Sequence, residues 1–81
     1  MKKQELIELI KQDAVEYDAD VEAKIKEFET LNRVEFYRYG KFCTHYFKRY
    51  IPISENKFLI KSWTDTGFCP TNKKQEVVIC E

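Results

Sequence analysis

The most reactive side chains of this 81-residue sequence are its three cysteines and its single histidine: Cys43, His45, Cys69 and Cys80. Thiolate and imidazole are zinc ligands, and four of them complete a tetrahedral site. The spacing argues against such a site. Cys43 and His45 form a close C-T-H pair, but no C-x-x-C knuckle supplies the second half. A zinc centre would need Cys69 and Cys80 to converge on the pair from far along the chain. A Cys–His nucleophile is the other chemistry these types offer, since residues i and i+2 of a strand share a face. It also needs an orienting group and an oxyanion hole, and the sequence names neither. The alternating acids of E-Y-D-A-D-V-E at 16–22 resemble a calcium loop only superficially, lacking its central glycine and its bidentate glutamate. No phosphate loop, dinucleotide fingerprint or H-E-x-x-H occurs. The expectation is a non-enzymatic protein with no metal and no cofactor. Its odd cysteine count fits free thiols in a reducing, cytoplasmic compartment.

Binding chemistry is better represented than catalytic chemistry. Residues 37–50, YRYGKFCTHYFKRY, hold six Phe or Tyr rings and four Lys or Arg side chains without one acid. Aromatic rings with cations at their margin are the composition of protein-binding hot spots. They are also the composition of single-stranded nucleic-acid platforms, where rings stack on bases and cations meet phosphate. The expected contacts are Tyr37, Tyr39, Tyr46 and Tyr50, with Arg38 and Lys48 at the rim. The bland alternative is that the same tyrosines fill cross-strand pairs inside a small sheet.

Composition limits the rest. Eighty-one residues make one domain with a modest core, and 43% apolar residues are enough to fold it. Net charge is zero but unevenly spread. Residues 1–30 carry nine acids and five bases, whereas 31–63 carry seven bases and two acids. A uniformly basic nucleic-acid binder is therefore not indicated, and a local basic face is. The start, MKKQELIELIKQD, is broken by Glu5, Glu8 and Lys11, so it reads as neither a secretory leader nor a membrane span.

These residues have to be positioned by a helical third followed by strands. Leu6, Ile10, Ala14, Tyr17, Val21, Ile25 and Phe28 recur every three or four positions, which predicts helix. Asp18 and Asp20 are poor in a helix interior and good at an N-cap, which predicts a break near 17–20 and helices over about 3–16 and 20–31. Asn32 is the expected C-terminal cap. The long stripe also suggests a homodimer through the helices. From residue 33 the period becomes two. Strands are predicted over about 33–39, 41–51, 57–64 and 76–80, with 41–50 as helix the competing reading. Ser54–Asn56 is an expected turn, Pro52 an edge or bulge, and Pro70–Asn72 a turn. A two-residue hairpin loop at Gly40 would put Tyr37, Tyr39, Tyr46, Lys48 and Tyr50 on one face. Val34, Phe36, Arg38, His45, Phe47 and Arg49 would then lie on the other.

The fold expected from these elements is α+β: one or two N-terminal helices packed on a four-stranded antiparallel meander. The expected function is that of a small protein-binding inhibitor or accessory regulator that occludes a partner surface. Chains of this size and motif-poor style include those carried by phages and mobile elements. Single-stranded nucleic-acid binding through the same face is the alternative.

Overall fold

In the computed structural model, which describes residues 1–67 and 70–81, two helices pack on one side of a four-stranded antiparallel sheet. Helix α1 spans Lys3–Glu16 and α2 Val21–Leu31. Strands β1 (Val34–Tyr39), β2 (His45–Ser54), β3 (Lys57–Asp65) and β4 (Pro70–Ile79) form a meander in the order β1-β2-β3-β4.

The break between the helices is built by two aspartates with different duties. Asp18 takes the left-handed conformation (φ 54°). Around it Ala19 N donates to Ala14 O at 2.8 Å and Asp18 N donates to Val15 O at 3.3 Å. That is a Schellman ending, which satisfies carbonyls left free by the last turn of α1. Asp20 then caps α2, its carboxylate accepting from Ala23 N at 3.2 Å. Asn32 closes α2 in the left-handed region (φ 57°), as a C-terminal Asn can with less strain than most residues.

The helical stripe faces the sheet. Leu6, Ile10, Ala14 and Phe28 are buried against Val34, Phe36, Tyr50, Phe58, Ile60 and Val78. Burial of a side chain such as Leu6 or Ile10 stabilises by about 1.5–3 kcal/mol. Because the sheet of the same molecule covers the stripe, the argument for a homodimer through the helices loses its basis. Val15 and Leu31 stay exposed on the helices, and the uncovered rings lie on the opposite layer.

Two local features differ from the sequence-based expectation. First, β2 begins at His45 rather than 41, and residues 40–44 form its connection to β1. Gly40 N donates to Thr44 O at 2.7 Å and Thr44 N donates to Lys41 O at 3.2 Å, enclosing a loop of three residues, 41–43. An odd loop pairs Val34 with Tyr50 and Tyr39 with His45. A two-residue loop would have shifted the register by one, and in a strand a shift of one exchanges the faces. Gly40 is required here by close approach: a Cβ would lie 2.6 Å from Cε2 of Tyr46. Second, β4 begins at Pro70, so residues 70–75 are strand rather than turn. The ladder to β3 is irregular between Ser62 and Thr64, opposite Asn72 with its positive φ of 51°, which marks a β-bulge. In agreement with the expected strand, and against the competing reading, residues 41–50 hold no helix. The Ser54–Asn56 turn and an irregularity at Pro52 are both present.

Candidate functional site

The face turned away from the helices collects the chain's uncovered rings. Cross-strand pairing sets Tyr39 beside His45, Tyr37 beside Phe47, and Phe47 beside Trp63. The rings run as a row across three strands. Tyr39 meets His45 edge-on at 5.0 Å, Tyr37 lies 5.6 Å from His45 and 5.3 Å from Phe47, and Phe47 stacks on Trp63 at 5.1 Å and 12°. The row ends in a cation, the Arg49 guanidinium, 5.0 Å over Trp63. Arg49 Nε also pairs with Glu35 at 3.5 Å.

Polar contacts fix the row. Tyr37 Oη and His45 Nδ1 are hydrogen-bonded at 2.6 Å. The Tyr39 phenol is pushed above its ordinary range, first by its hydrogen bond to Cys43. At the tip of the adjoining loop Phe42 and Cys43 both take left-handed conformations (φ 57° and 58°), and Phe42 is 93% exposed. Beyond the rings the same face carries aliphatics: Ile51 pairs with Leu59, Leu59 with Val77, and Ile79 lies opposite Lys57. Val77 and Ile79 are about half exposed.

A depression of about 360 Å³ opens beside Trp63. Arg49, Lys61, Lys73 and Lys74 line it and no acid does. Consecutive residues of a regular strand point to opposite faces. Lys73 shares the open face with Gln75 and Val77, whereas Lys74 pairs with Ser62 on the other.

The six expected contact residues are divided by the register. Tyr37 and Tyr39 lie on the open face, 50% and 59% exposed. Arg38, Tyr46, Lys48 and Tyr50 lie on the helix side, opposite to the expected arrangement for the last three. Tyr50 is 1% exposed and belongs to the core, so it is not a surface contact. Its hydroxyl donates to Asp13 Oδ2, and Lys48 Nζ donates to Asp13 Oδ1 at 2.8 Å. Asp13 is thus an acid in the buried stripe of α1, neutralised from β2. Burial, and then the bond to Asp13, push the Tyr50 phenol far above its ordinary value. The Arg38 guanidinium lies between two rings, 4.4 Å from Tyr46 and 6.0 Å from Tyr17. Its Nε is buried with no hydrogen-bond partner among the described residues, so cation–π contact stands in for hydrogen bonding.

The sequence reading missed Phe47, Trp63 and Arg49 as residues of the open face. The available signal was the loop: Lys41-Phe42-Cys43 after Gly40 also permits an odd number of residues, which exchanges the faces of β2. Cys43 is exposed in that loop, and Cys80 is buried at the end of β4 that pairs near Asn56. Cys80 therefore lies at the other end of the sheet from His45, which pairs with Asp65. Cys69 lies outside the described residues. Among the described residues no three His, Cys, Asp or Glu side chains are grouped to hold a metal, and no helix is long and apolar enough to cross a membrane.

Fold and site together describe an α+β two-layer protein whose sheet is covered on one side and carries an ordered aromatic row on the other. Comparison with protein-family models, with curated proteins and with solved structures finds no match.

Proposed function

We propose that the chain is a non-enzymatic protein-binding module, an inhibitor or accessory regulator that acts in the cytoplasm by laying its open sheet face over a partner protein. The observation that carries this reading is the uncovered row Tyr39–His45–Tyr37–Phe47–Trp63, continuous with the aliphatics Leu59, Val77 and Ile79. Extended apolar patches on a small protein mark interaction surfaces, and aromatic anchors dominate the energy of such surfaces.

Guarded sheet edges support docking by the face rather than by strand addition. On β1, Lys24 Nζ donates to Glu35 O at 2.6 Å. On β4, Met1 N donates to Ile79 O and Glu81 N donates to Met1 O. Proline, lysine and a bulge occupy the start of β4, devices that discourage pairing with a further strand.

Single-stranded nucleic acid is the second reading, favoured by the four cations beside Trp63. Base stacking, however, needs open ring faces. Trp63 has Phe47 stacked against it and Arg49 lying over its ring, while Phe47 is also contacted by Tyr37. What the row offers outward is chiefly ring edges. Such a surface, joined to aliphatics, suits a protein.

The test is affinity capture from the native host by wild type and by Phe47→Ala and Tyr37→Ala. The expected result is one identified protein retained by wild type and lost with Phe47→Ala, the reconstituted pair behaving alike. Equal retention by both folded variants would overturn the reading.

A further inference from the structure

We infer that the depression beside Trp63 is an anion-binding subsite of the docking face, and that it receives the carboxylates of an acidic segment on the partner protein. The inference rests on the protein-docking reading above and adds the chemistry of the partner.

Three strands build the subsite. Arg49 comes from β2, Lys61 and Trp63 from β3, and Lys73 and Lys74 from β4. One feature distinguishes it from a scatter of surface lysines: Arg49 is held in place. Its plane lies over Trp63 and its Nε is occupied by Glu35, which leaves the two terminal nitrogens for a forked contact with a carboxylate.

Charge complementarity selects the occupant. Arg49 is partly balanced by Glu35, but no acid lines the depression beside Lys61 and Lys73, and an incoming anion relieves the remaining repulsion while losing only part of its hydration in an open depression. The subsite adjoins an apolar surface, so its ligand carries acids next to apolar side chains, as an acidic amphipathic peptide segment does. A phosphate backbone has the charge but no use for Val77 and Ile79.

Trp63 is the only tryptophan and stands in the subsite wall, so its fluorescence reports occupancy directly. The experiment titrates the full chain at low salt with short poly-L-glutamate, and separately with a short oligothymidylate. Saturable change in Trp63 emission with poly-L-glutamate is expected, weakened about tenfold in Lys73→Gln/Lys74→Gln. The charge-matched control Lys2→Gln/Lys3→Gln, away from the depression, should bind as wild type does. Oligothymidylate binding in preference to poly-L-glutamate would overturn the acidic-protein assignment in favour of nucleic acid. Response to neither probe, or equal loss in the control, would overturn the subsite. In those last two outcomes the docking face itself stands or falls separately, on capture by the Phe47→Ala variant.

Discussion

The two faces of strand β2 carry nearly the same chemistry and put it to opposite uses. Tyr46, Lys48 and Tyr50 point toward the helices, and His45, Phe47 and Arg49 point away. On the inner face every ring or charge has an assigned partner within the fold: Tyr46 under Arg38, and Lys48 and Tyr50 on Asp13. On the outer face the rings meet chiefly one another and Arg49, and among the described residues no helix lies over them. Residue type on a strand therefore says little about role. What separates structural tyrosines from surface ones is the parity of one loop.

The largest expected effect breaks the inner face. Asp13→Ala leaves Lys48 and Tyr50 without the carboxylate they share, and removing one member of a buried charged set destabilises by about 3–5 kcal/mol. Lys48 is partly exposed, so the lower end is expected. Urea denaturation followed by circular dichroism measures it. The matching change on the outer face, Tyr37→Phe, removes only an exposed bond to His45 and should alter stability by less than about 1 kcal/mol. Similar losses for the two variants would show that the faces are not energetically distinct.

Much of the fold was legible because it is local. The spacing of Leu6, Ile10 and Ala14 fixes a helical face, and Asp20 and Asn32 mark ends by cap chemistry that depends on a few neighbouring residues. Strand β4 was only half legible. Pro70, Thr71 and Asn72 have turn-like preferences, and pairing with β3 overrides them. The candidate site was legible in composition but not in assignment. Tyr37 and Tyr39 follow from β1 alone, whereas the neighbours they acquire depend on whether two or three residues close the hairpin. Gly40 invited the shorter loop, and the structure places the sharp bend at Phe42 and Cys43 instead. A bulge such as that at Asn72 has no simple periodic signal.

Next in size is a pH effect centred on Tyr50, on the helix side. Tyr50 holds its proton in the fold at pH values where the same residue in the unfolded chain, ordinarily near 10.0, has lost it. Tyr17 is shifted in the same direction by partial burial and by Glu16. The native state then binds more protons than the unfolded state, so stability is fully present below about pH 10 and falls as pH rises beyond it. Tyr50→Phe should lower stability at neutral pH by about 1–3 kcal/mol through the unmet Asp13 oxygen and should flatten the alkaline decline. Urea midpoints on both sides of pH 10 decide this. An unchanged alkaline slope in Tyr50→Phe would place the titrating group elsewhere.

The break between the helices offers a smaller test of local chemistry. Asp20→Ala removes the acceptor of Ala23 N and should destabilise by about 1 kcal/mol. Asp18→Gly, which relieves a left-handed residue, should stabilise by a similar or smaller amount. The sharper question concerns the turn between the faces. Phe42 and Cys43 are successive left-handed residues, a conformation that disfavours side chains other than Gly, Asn and Asp by about 1–2 kcal/mol each. Phe42 recovers nothing by burial, since it is almost fully exposed. Strain held without a folding benefit points to use elsewhere, and an exposed ring in the loop that joins β1 to β2 has the character of a docking anchor. Phe42→Asn should raise stability by up to about 1 kcal/mol and weaken capture of the partner. Stabilisation together with undiminished capture would remove Phe42 from the docking surface and confine that surface to the strands.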